Sequence, residues 1–174
     1  MRILIYGFGP YRQFKQNITQ QIVGKLFRSA SLKKIVFPVR FDRRQFTDAV
    51  KQYRPDVVLG LGQCSRGRLL RIERRAINRK RTNGKERARP IVRGGPRRLP
   101  TTLKLEILGP GKSIKVSRDA GDYVCNFSMY VMLDYLRRHR FETRLAFLHV
   151  PYNHDRRAAV RFVRKVLSKF KSLT

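Results

Sequence analysis

Carboxylates are scarce in this chain. Eleven Asp+Glu stand against 41 Lys+Arg, leaving a formal net charge of +30 and an isoelectric point near 11.6. Such a surface attracts polyanions and repels its own copies at low salt. A charge of this size does not by itself separate specific nucleic-acid binding from adhesion. Cysteine is nearly as rare. Two residues, Cys64 and Cys125, cannot build a disulfide framework, so a reducing, cytoplasmic setting is expected. No apolar run approaches the roughly 18 residues of a membrane span, which argues against a membrane partner. The start, MRILIYGFGP, is too short in its apolar stretch for a secretion signal and has no small-residue cleavage site. Repeats and low-complexity tracts are also lacking. Residues 66–98 hold no aromatic side chain, and so offer no platform for stacking bases.

What the chain does have is core material. Hydrophobic residues make up 41% of 174 positions, enough for a single domain with a substantial interior. RILIY (2–6), KIVFPV (34–39), DVVLGLG (56–62), SIKVS (113–117) and RLAFLHV (144–150) read as strands. The longer of these runs are apolar without interruption, as in parallel strands covered on both faces. Between them lie helical stretches at 17–28, 42–53, about 123–138 and 155–171, with Asn17, Asp42 and Asp155 in capping positions. In 17–28 the apolar face is Ile18, Ile22, Leu26 and Phe27; in 155–171 it is Ala159, Phe162, Val163, Val166 and Phe170. Residues 66–98, with fourteen Lys/Arg and two Glu, read as an extended segment and a basic loop, turning at NG (83–84). Strand–helix alternation of this kind predicts an α/β domain of three layers, an open and mostly parallel sheet flanked by helices. Sites in such folds gather beyond the carboxyl ends of the strands, where GFGPY, GLGQC, the segment before Cys125 and His149 all fall.

Cys125, in DAGDYVCNFSMY, lies in the first turn of a helix, where unpaired N–H groups and the helix dipole favour a thiolate. Buried cysteine is more often a small packing residue, and Asp122 nearby opposes ionisation. His149 ends an apolar strand; it is either a core histidine or the base that serves Cys125. His154, beside the Asp155 cap, reads as a surface residue, and His139 as a partner of a helix end. Glu73 stands among Arg71, Arg74 and Arg75, where it forms a solvated ion pair or orients a histidine.

Five blocks, GFGPY, PDVVLGLGQ (55–63), IERRAIN (72–78), SRDAGDYVCNFSMY (117–130) and FLHVPY (147–152), together resemble the pyroglutamyl peptidase I family in order and spacing. Those cysteine peptidases remove an N-terminal 5-oxoproline from peptides. The resemblance implies a Cys–His–Glu triad on Cys125, His149 and Glu73, and the open α/β sandwich that this family shares with nucleoside phosphorylases. It further implies a ring pocket with Phe8 and Tyr11 as flat walls, Gln63 as the polar contact, and Tyr123 and Val124 lining the cavity. No cofactor or metal is expected, and a homo-oligomer is suggested.

The chain departs from the family pattern at two places. Tyr11 replaces a phenylalanine and is followed by RQF where glycines are usual. RKRTNGKERARP replaces an acidic, RIPDN-like substrate loop, so no arginine in 79–89 receives a catalytic role. A competing reading keeps the fold but gives the basic surface to nucleic acid or another polyanion, motivated by the +12 excess (fourteen minus two) in 66–98.

Overall fold

The computed structural model describes residues 1–171 except 12, 66, 84–85, 104 and 106–113. Their elements are β1 (Ile3–Phe8), α1 (Ile18–Lys25), β2 (Leu32–Phe37), α2 (Arg43–Tyr53), β3 (Val57–Cys64), β4 (Leu70–Glu73), β5 (Arg75–Ile77), β6 (Arg98–Pro100), β7 (Ile114–Ser117), α3 (Val124–Arg138), β8 (Arg144–Pro151) and α4 (Arg156–Lys171). Six strands form one sheet in the order β2-β1-β3-β8-β4-β7. Every neighbouring pair is parallel except β4 with β8. β5 and β6 make a separate antiparallel pair.

The uninterrupted strands divide their side chains between two cores, because successive residues of a strand point to opposite faces. Ile3, Ile5, Leu59, Leu61, Leu148 and Val150 join Ile22 of α1 and Val163 and Val166 of α4. Leu4, Tyr6, Phe8, Val58 and Phe147 join Phe46 of α2 and Phe127 and Met129 of α3. Helices therefore cover both sheet faces, and the expected three-layer α/β architecture is what forms. The α3 layer is the aromatic one. Tyr6 is fully buried there, its hydroxyl 3.0 Å from Ser128 Oγ, which gives the phenol the partner that burial demands.

The three expected caps form. Asn17 accepts from Thr19 N at 3.0 Å, Asp42 from Arg44 N at 2.9 Å, and Asp155 from Ala158 N at 2.5 Å. Boundaries differ in places: β2 runs Leu32–Phe37 rather than 34–39, and β1 and β3 run two residues past their expected ends. α1 stops at Lys25, because Leu26 turns to an extended conformation, so that Phe27 is left 40% exposed rather than on the apolar face. Residues 66–98 also carry more regular structure than expected, in β4, β5 and the start of β6. The turn expected at NG includes position 84, outside the described residues.

Candidate active site

Glu73 and His149 meet through the antiparallel β4–β8 pairing. Arg71 faces His149 and Glu73 faces Phe147, which puts all four on one sheet face, while Ile72 and Leu148 point to the other. The Glu73 carboxylate, wholly buried, reaches diagonally to His149, with Oε1 2.7 Å from Nδ1. That contact fixes the ring and leaves Nε2 as its other functional nitrogen. Arg71 Nε stands 3.9 Å from the same carboxylate oxygen, while Glu73 Oε2 and Arg71 Nε are buried and have no hydrogen-bond partner among the described residues.

Cys125 approaches the same face from the start of α3. Its neighbour on β3 is Gly62, where an added Cβ would lie 2.7 Å from Sγ. Gly62 is also the register partner of His149 on β8. The thiol therefore lies against β3 at the register position that pairs with the histidine of β8. Tyr123, the N-cap of α3, makes no side-chain capping bond to the first turn. Backbone N–H groups there can thus serve an oxyanion. Burial, followed by the fields of Cys64 and Glu73, pushes the Cys125 thiol up to about 12 from an ordinary 9.0, with Arg71 acting the other way. Burial thus disfavours the thiolate, and a base is needed to help form it.

Two cavities share Cys125. A narrow one is lined by Phe8, Tyr11, Gln63, Tyr123 and Val124, all five of the expected ring-pocket residues, together with Asn17 and Val39. Gln63 accepts from Ile18 N at 2.8 Å through Oε1, which holds its amide, and the buried Nε2 has no partner among the described residues. A wider chamber, which shares Tyr11, Gln63, Tyr123 and the thiol with the narrow one, also contains His149, Cys64, Arg71 and Arg81. Neither His139 nor His154 lines either cavity. His139 closes α3, its Nδ1 2.9 Å from Tyr135 O, and His154 is partly exposed before α4.

The basic segment folds down beside this site. Asn126, the residue after the cysteine, is fully buried; it accepts from Ile77 N and donates to Ile77 O and Arg79 O, each at 2.8 Å. Arg79 forks onto Asp119 at 2.8 and 2.9 Å, and Arg81 pairs with Asp122 at 3.1 Å. Asn126, Gly62 and Arg71 join the site beyond the residues that sequence reasoning assigns to it. The first two had a signal, in the polar residue inside an apolar helix and the GLG of β3; Arg71 had none among so many arginines.

A family model described as pyroglutamyl peptidase matches residues 1–160. The chain belongs to the pyroglutamyl peptidase family. It is 29% identical over 168 residues to pyrrolidone-carboxylate peptidase 1 of Caldanaerobacter subterraneus, covering 87% of this chain and 83% of that protein. It is 26% identical over 178 residues to pyrrolidone-carboxylate peptidase 1 of Saccharolobus solfataricus, covering 92% and 83%. Among solved structures, Bacillus amyloliquefaciens pyroglutamyl peptidase I superposes with a TM-score of 0.78 at 28% identity, over 87% of this chain and 82% of that one. This member of the pyroglutamyl peptidase family has no helix, among the described residues, long and apolar enough to cross a membrane. No group of three or more His, Cys, Asp or Glu among them could hold a metal ion.

Proposed function

We propose that Cys125, His149 and Glu73 act as nucleophile, base and orienting carboxylate in the removal of N-terminal pyroglutamate, the reaction for which the chain's family is named. The observation that carries this reading is that Cys125 belongs to both cavities at once. The lactam ring enters the narrow one between Phe8, Tyr11 and Tyr123, with Gln63 Nε2 donating to the ring carbonyl. The leaving peptide extends into the wider chamber beside His149. Flat apolar walls and one placed donor suit a small neutral lactam.

His149 withdraws the thiol proton as sulfur attacks the pyroglutamyl carbonyl, and Glu73 stabilises the imidazolium that forms. The N–H groups at the start of α3 receive the oxyanion. Collapse of the tetrahedral intermediate passes the proton to the leaving amine and leaves an acyl-cysteine, which water hydrolyses with His149 again as base. The mechanism needs a reduced Cys125, and both cysteines are free thiols, so a reducing, cytoplasmic compartment is part of this proposal.

A fluorogenic pyroglutamyl amide, assayed with and without iodoacetamide, tests the reading. Turnover should disappear in step with alkylation of Cys125 as followed by peptide mass spectrometry. Full turnover by protein alkylated at Cys125 would remove the cysteine from the mechanism.

A further inference from the structure

The cations of this chain are not equally provided with counter-charge. Beside the candidate site Arg79 pairs with Asp119 and Arg81 with Asp122, and at the far end of α3 Arg137 and Arg138 share Asp134. On the opposite layer α4 has seven Lys/Arg and no acid between residues 156 and 171. Its buried side, including Ala159, Val163, Val166 and Phe170, faces the core. Its outer side meets α1 in a groove lined by Lys25, Arg156, Arg157, Val160, Arg161 and Arg164.

All five groove cations are exposed, and no ion pair joins any of them among the described residues. Arg156 donates to Gln21 Oε1 at 3.4 Å and Arg164 to Lys25 O at 2.9 Å, both neutral acceptors. Asp155, the nearest acid along the chain, caps α4 through Ala158 N. A concave surface with five positive groups and no compensating carboxylate raises the local concentration of anions.

We propose that the α1–α4 groove binds the phosphate backbone of nucleic acid without reading its bases. Arg157, Arg161 and Arg164 follow one another at spacings of four and three residues and so form a row on one helix face. At 1.5 Å per residue the row extends about 10 Å with neighbours about 4.5–6 Å apart, so three long guanidinium side chains can reach about three successive phosphates of one strand. No aromatic side chain lines the groove, so base stacking contributes nothing and the binding is sequence-tolerant. An anionic membrane fits less well. A helix lying in a bilayer surface inserts its apolar face, and that face of α4 is already buried against the sheet. The groove lies on the other side of the sheet from Cys125, so peptide turnover and nucleic-acid binding do not compete for the same surface.

The test compares three full-length proteins: wild type, the groove triple R157E/R161E/R164E, and R93E/R97E/R98E, which makes the same charge change at exposed positions outside the groove. Anisotropy of labelled 20-mer duplex DNA and single-stranded RNA is followed between about 50 and 200 mM salt. Wild type should bind at low salt. The groove triple should lose at least tenfold more affinity than the other triple and lower the salt slope by about 3, near 0.9 per duplex phosphate contact. Binding of either nucleic acid in this pattern supports the proposal, and the stronger arm names the natural class. Unchanged turnover of a pyroglutamyl amide by both triples shows that they are folded. Equal losses in the two triples, or no wild-type binding at the lowest salt, would overturn it. Groove-dependent binding to phosphatidylserine vesicles, with none to nucleic acid, would overturn it as well.

Discussion

Gly62 and Cys125 occupy adjoining space: a methyl group on the glycine would lie 2.7 Å from the sulfur and 2.8 Å from the Phe147 ring. The start of α3 can come this near β3 only because residue 62 has no side chain. Gly62→Ala should displace the thiol, lowering kcat/KM about 100-fold, as misplacement of a reacting group by about 1 Å does. Overpacking should cost only about 1–3 kcal/mol. Steady-state kinetics together with urea unfolding check both numbers. Unaltered kinetics would show that the close approach is irrelevant to the chemistry.

Glu73→Gln separates orientation from charge. The substituted side chain can still hydrogen-bond His149 but no longer balances an imidazolium at a carboxylate position that is wholly buried. Turnover should fall by about 10²–10⁴, with a circular-dichroism spectrum like that of wild type. Activity within a factor of two would return Glu73 to the role of an ordinary buried partner.

Much of the layout is legible in the sequence. DVVLGLG and RLAFLHV announce strands covered on both faces, and Asn17, Asp42 and Asp155 mark helix starts because their side chains answer unpaired N–H groups. The RLLRIERRAIN segment was not legible in the same way. Its charges suggest a solvated surface, yet Glu73 is wholly buried, since its partner His149 arrives from 76 residues further along. A local pattern cannot encode a counter-group supplied by tertiary pairing. Asn126 and Asn78 were opaque for the same reason: Asn78 binds Ile91 N, Val92 N, Val92 O and Gly95 O, and so organises a loop that composition presents only as basic.

Gln63 offers a substitution that changes a single atom's role. Gln63→Glu keeps the acceptor for Ile18 N but loses the buried Nε2 donor of a residue that lines the narrow cavity. Removing one hydrogen bond and adding charge beside a neutral lactam should raise KM at least tenfold, since a donor–acceptor contact is worth about 0.5–1.5 kcal/mol before the charge is counted. Gln63→Leu should also destabilise the fold by about 1–3 kcal/mol, because Ile18 N is then buried unpaired. Equal KM values for wild type and Gln63→Glu would place the ring elsewhere.

The raised Cys125 pKa fixes the pH dependence of its modification. In a Cys64→Ser background, iodoacetamide should react about tenfold faster per pH unit from about 7 to 10, without a plateau, because the thiolate fraction is still rising. Arg71→Met removes a charge that favours the thiolate and should slow the reaction throughout that window. The stability linkage has the matching sign. An unfolded thiol ionises near 9.0 while the folded one stays neutral until about 12, so the stabilisation is present below 9.0 and lost between those values. A plateau near neutral pH would mean that a thiolate–imidazolium pair already exists at rest.

The most direct measurement is turnover of a pyroglutamyl–aminocoumarin substrate by Cys125→Ser protein alongside wild type. A hydroxyl in place of the thiol, served by the same histidine, should leave less than about 0.1% of wild-type kcat, a loss of more than 4 kcal/mol in transition-state stabilisation. A Cys125→Ser protein that hydrolyses this substrate at the wild-type rate would contradict the account.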